Sequence, residues 1–234
     1  MEHTLRQAKE CGGLHTLSKD KLHALVRASI EEYIDRVLPD LSEKSARFRY
    51  LFNRLCATVE RIMDEVSEEL QSSDFEPLAF ELAFGADGQL PAITIREENG
   101  TARVVGKVDR VDGWLHDGKL YLRVVDYKTG QFGTSAEEYY TGRRLQLALY
   151  LAAVSQGRKP AGAYYFPARV GFSAESEDAP FRMQGYTAAG DEVVRLSDSS
   201  AEEGKKSRFI DASLGGRKSR RRLSEGDFEA FVSY

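Results

Sequence analysis

The chain has 234 residues, of which 41% are hydrophobic and 30% are charged, and its formal net charge is −4. This length and hydrophobic content are enough for one sizeable core, which excludes a chain that is disordered throughout. The negative net charge argues against a protein that binds nucleic acid by bulk electrostatics alone.

Two further classes of protein are disfavoured by the sequence. No apolar run approaches the roughly 18 residues of a membrane span, and the first residues lack the basic and apolar regions of a signal peptide. We therefore expect a cytoplasmic protein with no membrane partner. The two cysteines, Cys11 and Cys56, have no CxxC spacing and cannot complete a zinc or iron–sulfur site by themselves.

Helical periodicity dominates residues 1–74. A short helix is predicted over 1–14, and a second over 19–38, where apolar residues recur at helical spacing until Pro39. A longer helix is predicted over 42–71, with an amphipathic stripe that would pack on a sheet. We interpret all three helices as structural.

Strand-like segments follow at 77–84 and 90–95, with a Gly-Ala-Asp-Gly turn between them. Glu81 lies among apolar residues in the first of these segments. Two interpretations stay open for Glu81: it faces a functional site as a further ligand, or it pairs with a lysine.

The most informative stretch is 104–130, which contains two alternating runs joined by Asp117-Gly118. Asp-Gly between alternating apolar residues is a strong hairpin signal. A two-residue turn at this position would place His116 against Lys119 and Asp109 directly opposite Asp126.

The same register would gather two lysines, Lys107 and Lys128, on the face of the hairpin that carries both aspartates. Like charges that face each other across a ladder are destabilising, so this patch needs a cation or raised carboxyl pKa values. Carboxylate oxygens suit Mg²⁺ or Mn²⁺. The alternative is a solvated hairpin on which Asp109 pairs with Lys107 or Arg110, and a β-bulge would undo the register.

The remainder of the chain predicts a strand–helix–strand crossover. The helix is expected over 135–155 and carries Gln146 and Tyr150 on one face, with Arg143 and Arg144 on the preceding turn as candidate DNA contacts. Strands at 161–168 and 181–187 would complete a mixed central sheet of five or six strands flanked by helices.

The last segment, 190–234, is expected to hold a helical turn at 191–196, a basic run and a final helix. The basic run, 205–222, is either a solvated loop or a contact for a phosphate backbone, with Lys218, Arg220 and Arg221 as candidate DNA-binding residues. The Ser-x-x-Asp spacing at 224–227 predicts a capping box for the final helix.

Three segments in this order resemble the motifs of one enzyme family: GKVDRVD at 106–112, VDYK at 125–128 and QLALY at 146–150. They are similar to the RecB-like branch of the PD-(D/E)xK nucleases, in particular the nuclease domain of the B subunit of bacterial AddAB-type helicase-nucleases. A single Asp-x-Lys is common, whereas all three motifs in order form a specific signal.

The resemblance implies an α/β, restriction-endonuclease-like core and an Mg²⁺- or Mn²⁺-dependent DNA nuclease, an exonuclease rather than an endonuclease. It implies Asp109, Asp126 and the backbone carbonyl of Tyr127 as metal ligands, with Glu2 in the place of a histidine ligand. The residues implied to be catalytic are Asp109, Asp126, Lys128, Gln146 and Tyr150.

The resemblance also implies partners. These are a DNA strand delivered by a helicase, an AddA-like helicase subunit and the rest of a longer polypeptide, because the chain looks like a single nuclease domain excised from a larger protein and has no Walker A motif. The catalytic core is expected at 75–189. The family's iron–sulfur cluster is not expected here. Two alternatives stay open: a vestigial DNA-binding or assembly module, and a free-standing exonuclease.

Overall fold

The computed structural model describes residues 2–13, 16–38, 40–130, 132–133, 135–168, 180–215 and 222–224. The chain divides into two compact units, a helical unit up to Gln71 and a sheet unit from Ser72 onward. The boundary lies close to the predicted end of the helical segment at 74. The described residues after 190, which were predicted to form a separate segment, belong to the sheet unit.

The helical unit contains α1 (Glu2–Glu10), α2 (Lys19–Val37) and α3 (Ala46–Gln71), with a 3₁₀ turn at Leu41–Glu43. The predicted second and third helices are confirmed. Ser18 caps α2, because its side chain accepts a hydrogen bond from the amide of Lys21. The first helix ends earlier than predicted, and Gly12 and Gly13 follow it with φ of 108° and 92°.

The sheet unit holds the remaining described elements. The strands are β1 (Glu76–Phe84), β2 (Ile93–Glu97), β3 (Gly100–Val104), β4 (Gly106–His116), β5 (Lys119–Lys128), β6 (Lys159–Pro167), β7 (Gln184–Ala188) and β8 (Arg222–Leu223). The helices are α4 (Ala136–Tyr140), α5 (Gln146–Ser155) and α6 (Asp191–Ser197).

Six of these strands form one mixed sheet in the order β1-β4-β5-β6-β7-β8. The pairs β1/β4, β4/β5 and β6/β7 are antiparallel, whereas β5/β6 and β7/β8 are parallel. Helix α5 makes the crossover from β5 to β6 and buries Leu147, Leu151 and Val154 in the core. The predicted mixed α/β sheet flanked by helices is confirmed.

One predicted strand belongs elsewhere. The segment predicted at 90–95 starts at Ile93 and pairs with β3, a strand that was not predicted, in a separate two-stranded ribbon. Asn99 and Gly100 between the two strands favour a turn, and this local signal was missed.

The single helix predicted over 135–155 is also wrong, because the structure has two helices, α4 and α5, in that range. Gly142 lies between them with φ of 74°. A left-handed glycine at this point ends α4, so Arg143 and Arg144 lie in the connection rather than in the helix.

The described residues after β7 are held by a buried aspartate. Asp198 accepts hydrogen bonds from the hydroxyls of Ser200 and Ser207, both at 2.6 Å, and from the amide of Arg208. The predicted final helix and the polar loop at 171–179 lie outside the described residues. No described helix is both long and apolar enough to cross a membrane.

Candidate active site

The predicted register of the β4–β5 hairpin is confirmed. Residue pairs run from His116 against Lys119 to Arg110 against Val125, so the next position sets Asp109 opposite Asp126. Asp117 and Gly118 form the two-residue turn with φ of 47° and 71°, which is the twist that a tight hairpin requires.

The neighbouring strands extend this position into a row of side chains. Strand β1 pairs Phe80 with Arg110 and Leu82 with Val108, which puts Glu81 opposite Asp109. Strand β6 pairs Tyr165 with Asp126. The acidic row therefore consists of Glu81, Asp109 and Asp126 on three adjacent strands.

Lys128 and Gln146 connect the acidic row to helix α5. The Lys128 ammonium lies 2.6 Å from Asp126 Oδ2 and donates to Gln146 Oε1 at 2.8 Å. Gln146 Nε2 in turn lies 2.9 Å from both Asp126 Oδ1 and the hydroxyl of Tyr150. The structure thus brings together four of the five residues that were predicted as catalytic.

Asp109, the fifth of these residues, is held by the backbone of β5. The amide of Tyr127 donates to Asp109 Oδ2 at 2.8 Å. Of the two interpretations for Glu81, the structure shows the ion pair, which Glu81 makes with Lys107. Glu81 also has φ of 51° in the middle of a strand, and such conformations are costly for a residue with a side chain.

Burial makes this row electrostatically unfavourable without a cation. Desolvation raises the pKa of Asp109, and repulsion by Asp126 and Glu81 adds to the rise although the Tyr127 amide opposes it. Desolvation likewise raises the pKa of Asp126 despite its contact with Lys128. The neighbouring Tyr165 hydroxyl has its pKa raised to about 12, chiefly by burial and then by Asp126.

The carboxylates of Asp109 and Asp126 fit a hard divalent ion by their chemistry, because such an ion relieves the repulsion between them. Within the described part of the chain, no group of three His, Cys, Asp or Glu residues could hold a metal. The side chain of Glu2, the predicted third ligand, lies outside the described residues. The two aspartates therefore need further ligands, such as a backbone carbonyl or waters.

The opposite face of the hairpin carries a buried charge cluster that was not predicted from the sequence. Asp112 Oδ2 lies 3.0 Å from Arg110 and 2.8 Å from Arg123, and all three residues are fully buried. Arg110 also donates to the hydroxyl of Tyr127 at 3.2 Å. Arg110 thus points away from Asp109, contrary to the alternative of a solvated Asp109–Arg110 pair, and strand alternation was the signal that could have shown this.

The candidate DNA-binding residues are only partly described. Arg144 pairs with Glu138 at 2.5 Å, and Arg143 donates to the hydroxyl of Thr141. In the basic run, Lys205 pairs with Glu202 and Lys206 with Asp211. Lys218, Arg220 and Arg221 lie outside the described residues.

Comparison with known proteins agrees with this geometry. The model of the PD-(D/E)XK nuclease superfamily matches residues 4–228. The chain belongs to this superfamily. The (D/E)XK part of the superfamily's name matches Asp126-Tyr127-Lys128, the segment that ends β5.

Individual relatives of this PD-(D/E)XK chain carry one name, that of the B subunit of an ATP-dependent helicase/deoxyribonuclease. The proteins of that name from Geobacillus thermodenitrificans and Bacillus subtilis are 32% and 31% identical to the chain, each over 85% of its length. The one from Caldanaerobacter subterraneus is 33% identical over 64% of the chain. The chain spans only 19% of the first two relatives and 14% of the third.

Proposed function

We propose that the chain is a metal-dependent nuclease domain that hydrolyses phosphodiester bonds in DNA. The observation that carries this proposal is the pairing of Asp109 and Asp126 across one ladder, with Lys128 fixed beside them by Gln146. Two desolvated carboxylates next to an ammonium suit a metal ion and a phosphate better than they suit any purely structural role.

The chain's own residues would share the work as follows. Asp109, Asp126 and the backbone carbonyl of Tyr127 would hold Mg²⁺ or Mn²⁺, which polarises a phosphate oxygen and lowers the pKa of bound water. Lys128 would place its ammonium against the phosphate and stabilise the negative charge that develops there.

Gln146 and Tyr150 act behind these groups. Gln146 holds Lys128 with its oxygen and Asp126 with its nitrogen, while the Tyr150 hydroxyl fixes the same amide. This arrangement positions the base of the site before substrate binds, so little reorganisation is needed during the reaction. We assign Gln146 and Tyr150 as positioning residues.

The relatives' name supports the finer proposal. We infer that the chain is the nuclease part of a cytoplasmic bacterial helicase-nuclease, with the remaining polypeptide and an AddA-like subunit as partners. In that setting it would act as an exonuclease on a single strand that the helicase delivers, during repair of double-strand breaks by recombination.

A second candidate is a vestigial DNA-binding or assembly module. The observation in its favour is that the described residues provide two metal-ligating carboxylates and no third ligand side chain. Metal binding separates the candidates, because a vestigial site has no need to retain it.

The test is cleavage of single-stranded DNA labelled at either end, in Mn²⁺ or Mg²⁺ and with an EDTA control. The proposal predicts metal-dependent cutting that EDTA abolishes, and mononucleotides or short oligonucleotides from one labelled end would identify an exonuclease. No cutting, together with no Mn²⁺ binding by calorimetry, would favour the vestigial module instead.

A further inference from the structure

The β2–β3 ribbon has one face built from two arginines and two threonines. Thr94 lies opposite Arg103, and Arg96 lies opposite Thr101. Because side chains alternate along a strand, these four residues share one face, and all four are exposed.

The base of the ribbon is anchored next to the candidate active site. Ile93 and Val104, which pair across the ribbon, pack against the core cluster that also contacts Phe84 and Tyr150. By alternation, this contact fixes the arginine face as the one turned away from the core. The polar face is therefore a presented surface with a defined orientation in the sheet unit.

The two arginines differ from other basic residues near the site in having no acidic partner among the described residues. Neither guanidinium makes an ion pair or hydrogen bond with any residue that the structure describes. Lys107 and Arg144, by contrast, pair with Glu81 and Glu138. The ribbon also contains Glu97, which alternation places on the other face.

The ribbon leads directly into the catalytic strand. Only Val105 separates the end of β3 from β4, whose first residues include Lys107 and Asp109. The antiparallel pairing brings this start of β4 to the end of β5, where Lys128 lies. A DNA strand at the acidic row would therefore pass the edge of the sheet from which the ribbon extends.

We propose that Thr94, Arg96, Thr101 and Arg103 bind the sugar-phosphate backbone of the DNA strand that enters the active site. This inference rests on the proposed nuclease function. Guanidinium groups bind phosphate through two parallel hydrogen bonds, and threonine hydroxyls commonly contact phosphate oxygens. Arg96 and Arg103 are diagonal neighbours, roughly 7–8 Å apart at their backbones, so they would contact separate phosphates.

The experiment is a titration of fluorescent single-stranded DNA with the whole chain in EDTA, which prevents cleavage, at several salt concentrations. For single strands the slope of log K against log salt changes by about 0.7 for each phosphate that the protein no longer neutralises. We expect the double variant Arg96→Ala/Arg103→Ala to have a slope about 1.4 shallower than the wild type. Replacing both arginines by lysine should restore most of the slope, because the charge returns.

The matched control is Arg27→Ala, which removes an exposed arginine that pairs with Glu60 in the helical unit. A double variant whose slope and affinity equal those of the wild type, or fall no further than those of this control, would overturn the proposal. Thermal melting of each variant checks that the fold is retained, as expected for exposed side chains.

Cleavage in Mn²⁺ separates this inference from the proposed function. If the wild type cuts DNA, the double variant should raise KM with kcat unchanged at saturating DNA, and an unchanged KM would refute the ribbon contact alone. If the wild type neither cuts DNA nor binds Mn²⁺, the nuclease proposal fails, while a shallower slope in EDTA would still support the ribbon as a phosphate-binding surface.

Discussion

Gln146 is the residue on which the geometry of the site depends most. Its amide oxygen accepts from Lys128, and its amide nitrogen donates to Asp126 and Tyr150. Only one orientation of the amide satisfies all three partners, because the ammonium can only donate and the carboxylate can only accept. Gln146 therefore fixes Lys128 and Asp126 relative to each other.

We predict that Gln146→Ala lowers the cleavage rate about 10- to 100-fold, the usual cost of losing a group that orients metal ligands. Tyr150→Phe, which removes only the hydroxyl at the end of this network, should have a smaller effect. Single-turnover cleavage at saturating DNA measures both variants. Equal rates for Gln146→Ala and the wild type would show that the amide does not position the site.

Asp109 is expected to destabilise the metal-free protein. Its folded-state pKa is raised by burial and by its acidic neighbours, so its favourable contribution to stability is present at low pH and is lost as pH rises through that pKa. At neutral pH the ionised carboxylate therefore opposes folding. Function retains the carboxylate at this cost.

We predict that Asp109→Asn raises the melting temperature in EDTA at neutral pH, since the amide oxygen can still accept from Tyr127. The difference from the wild type should shrink as pH falls and Asp109 becomes protonated. Calorimetric melting across a pH series measures this. A lower melting temperature for the variant at neutral pH would contradict the assignment of Asp109 as an electrostatically strained group.

At the scale of elements, the sequence predicts best what is local. The register of the β4–β5 hairpin follows from Asp117-Gly118 and from strict alternation, so the amino-acid sequence alone was enough to set Asp109 against Asp126. The position of Glu81 could not be predicted in the same way. It depends on pairing between β1 and β4, which are separated by the ribbon, and on a register shift between Pro77 and Ala79.

Two element boundaries were missed for different reasons. The break between α4 and α5 depends on Gly142 adopting a left-handed conformation, and a helical pattern tolerates a single glycine without revealing that. Strand β3 was missed although Asn99 and Gly100 mark a turn, because the signal of the longer hairpin began at Val104. Superfamily and site were therefore more predictable than the ribbon that extends from them.

The buried cluster behind the hairpin should dominate the stability of these strands. Asp112 contacts both Arg110 and Arg123, and Arg123 stacks over Phe75 at 4.7 Å. Removing one partner from a buried ion pair leaves a desolvated charge, which costs about 3–5 kcal/mol.

We accordingly predict that Asp112→Ala lowers the free energy of unfolding by about 3–5 kcal/mol. Glu97→Ala, which removes an exposed acid from β2, should change it by less than about 0.5 kcal/mol. Urea denaturation of both variants measures the difference. A loss below about 1 kcal/mol for Asp112→Ala would mean that the two arginines are stabilised without it.

At the scale of the whole molecule, metal binding and folding are linked. An ion that binds the folded state alone stabilises it by about 2.7 kcal/mol at 100 times its Kd. We predict that Mn²⁺ raises the melting temperature of the wild type, whereas the melting temperature of Asp126→Ala does not respond to it. An equal Mn²⁺ response in both proteins would place the metal elsewhere in the chain.

The central claim is that the acidic row and Lys128 form a working nuclease site. The most direct measurement is cleavage of end-labelled single-stranded DNA in Mn²⁺ by the wild type, Asp126→Ala and Lys128→Ala, with Arg27→Ala as a control. The account predicts that the wild type and the control cut DNA and that both site variants do not, with Mn²⁺ binding lost in Asp126→Ala and retained in Lys128→Ala. Undiminished cutting by either site variant would contradict it.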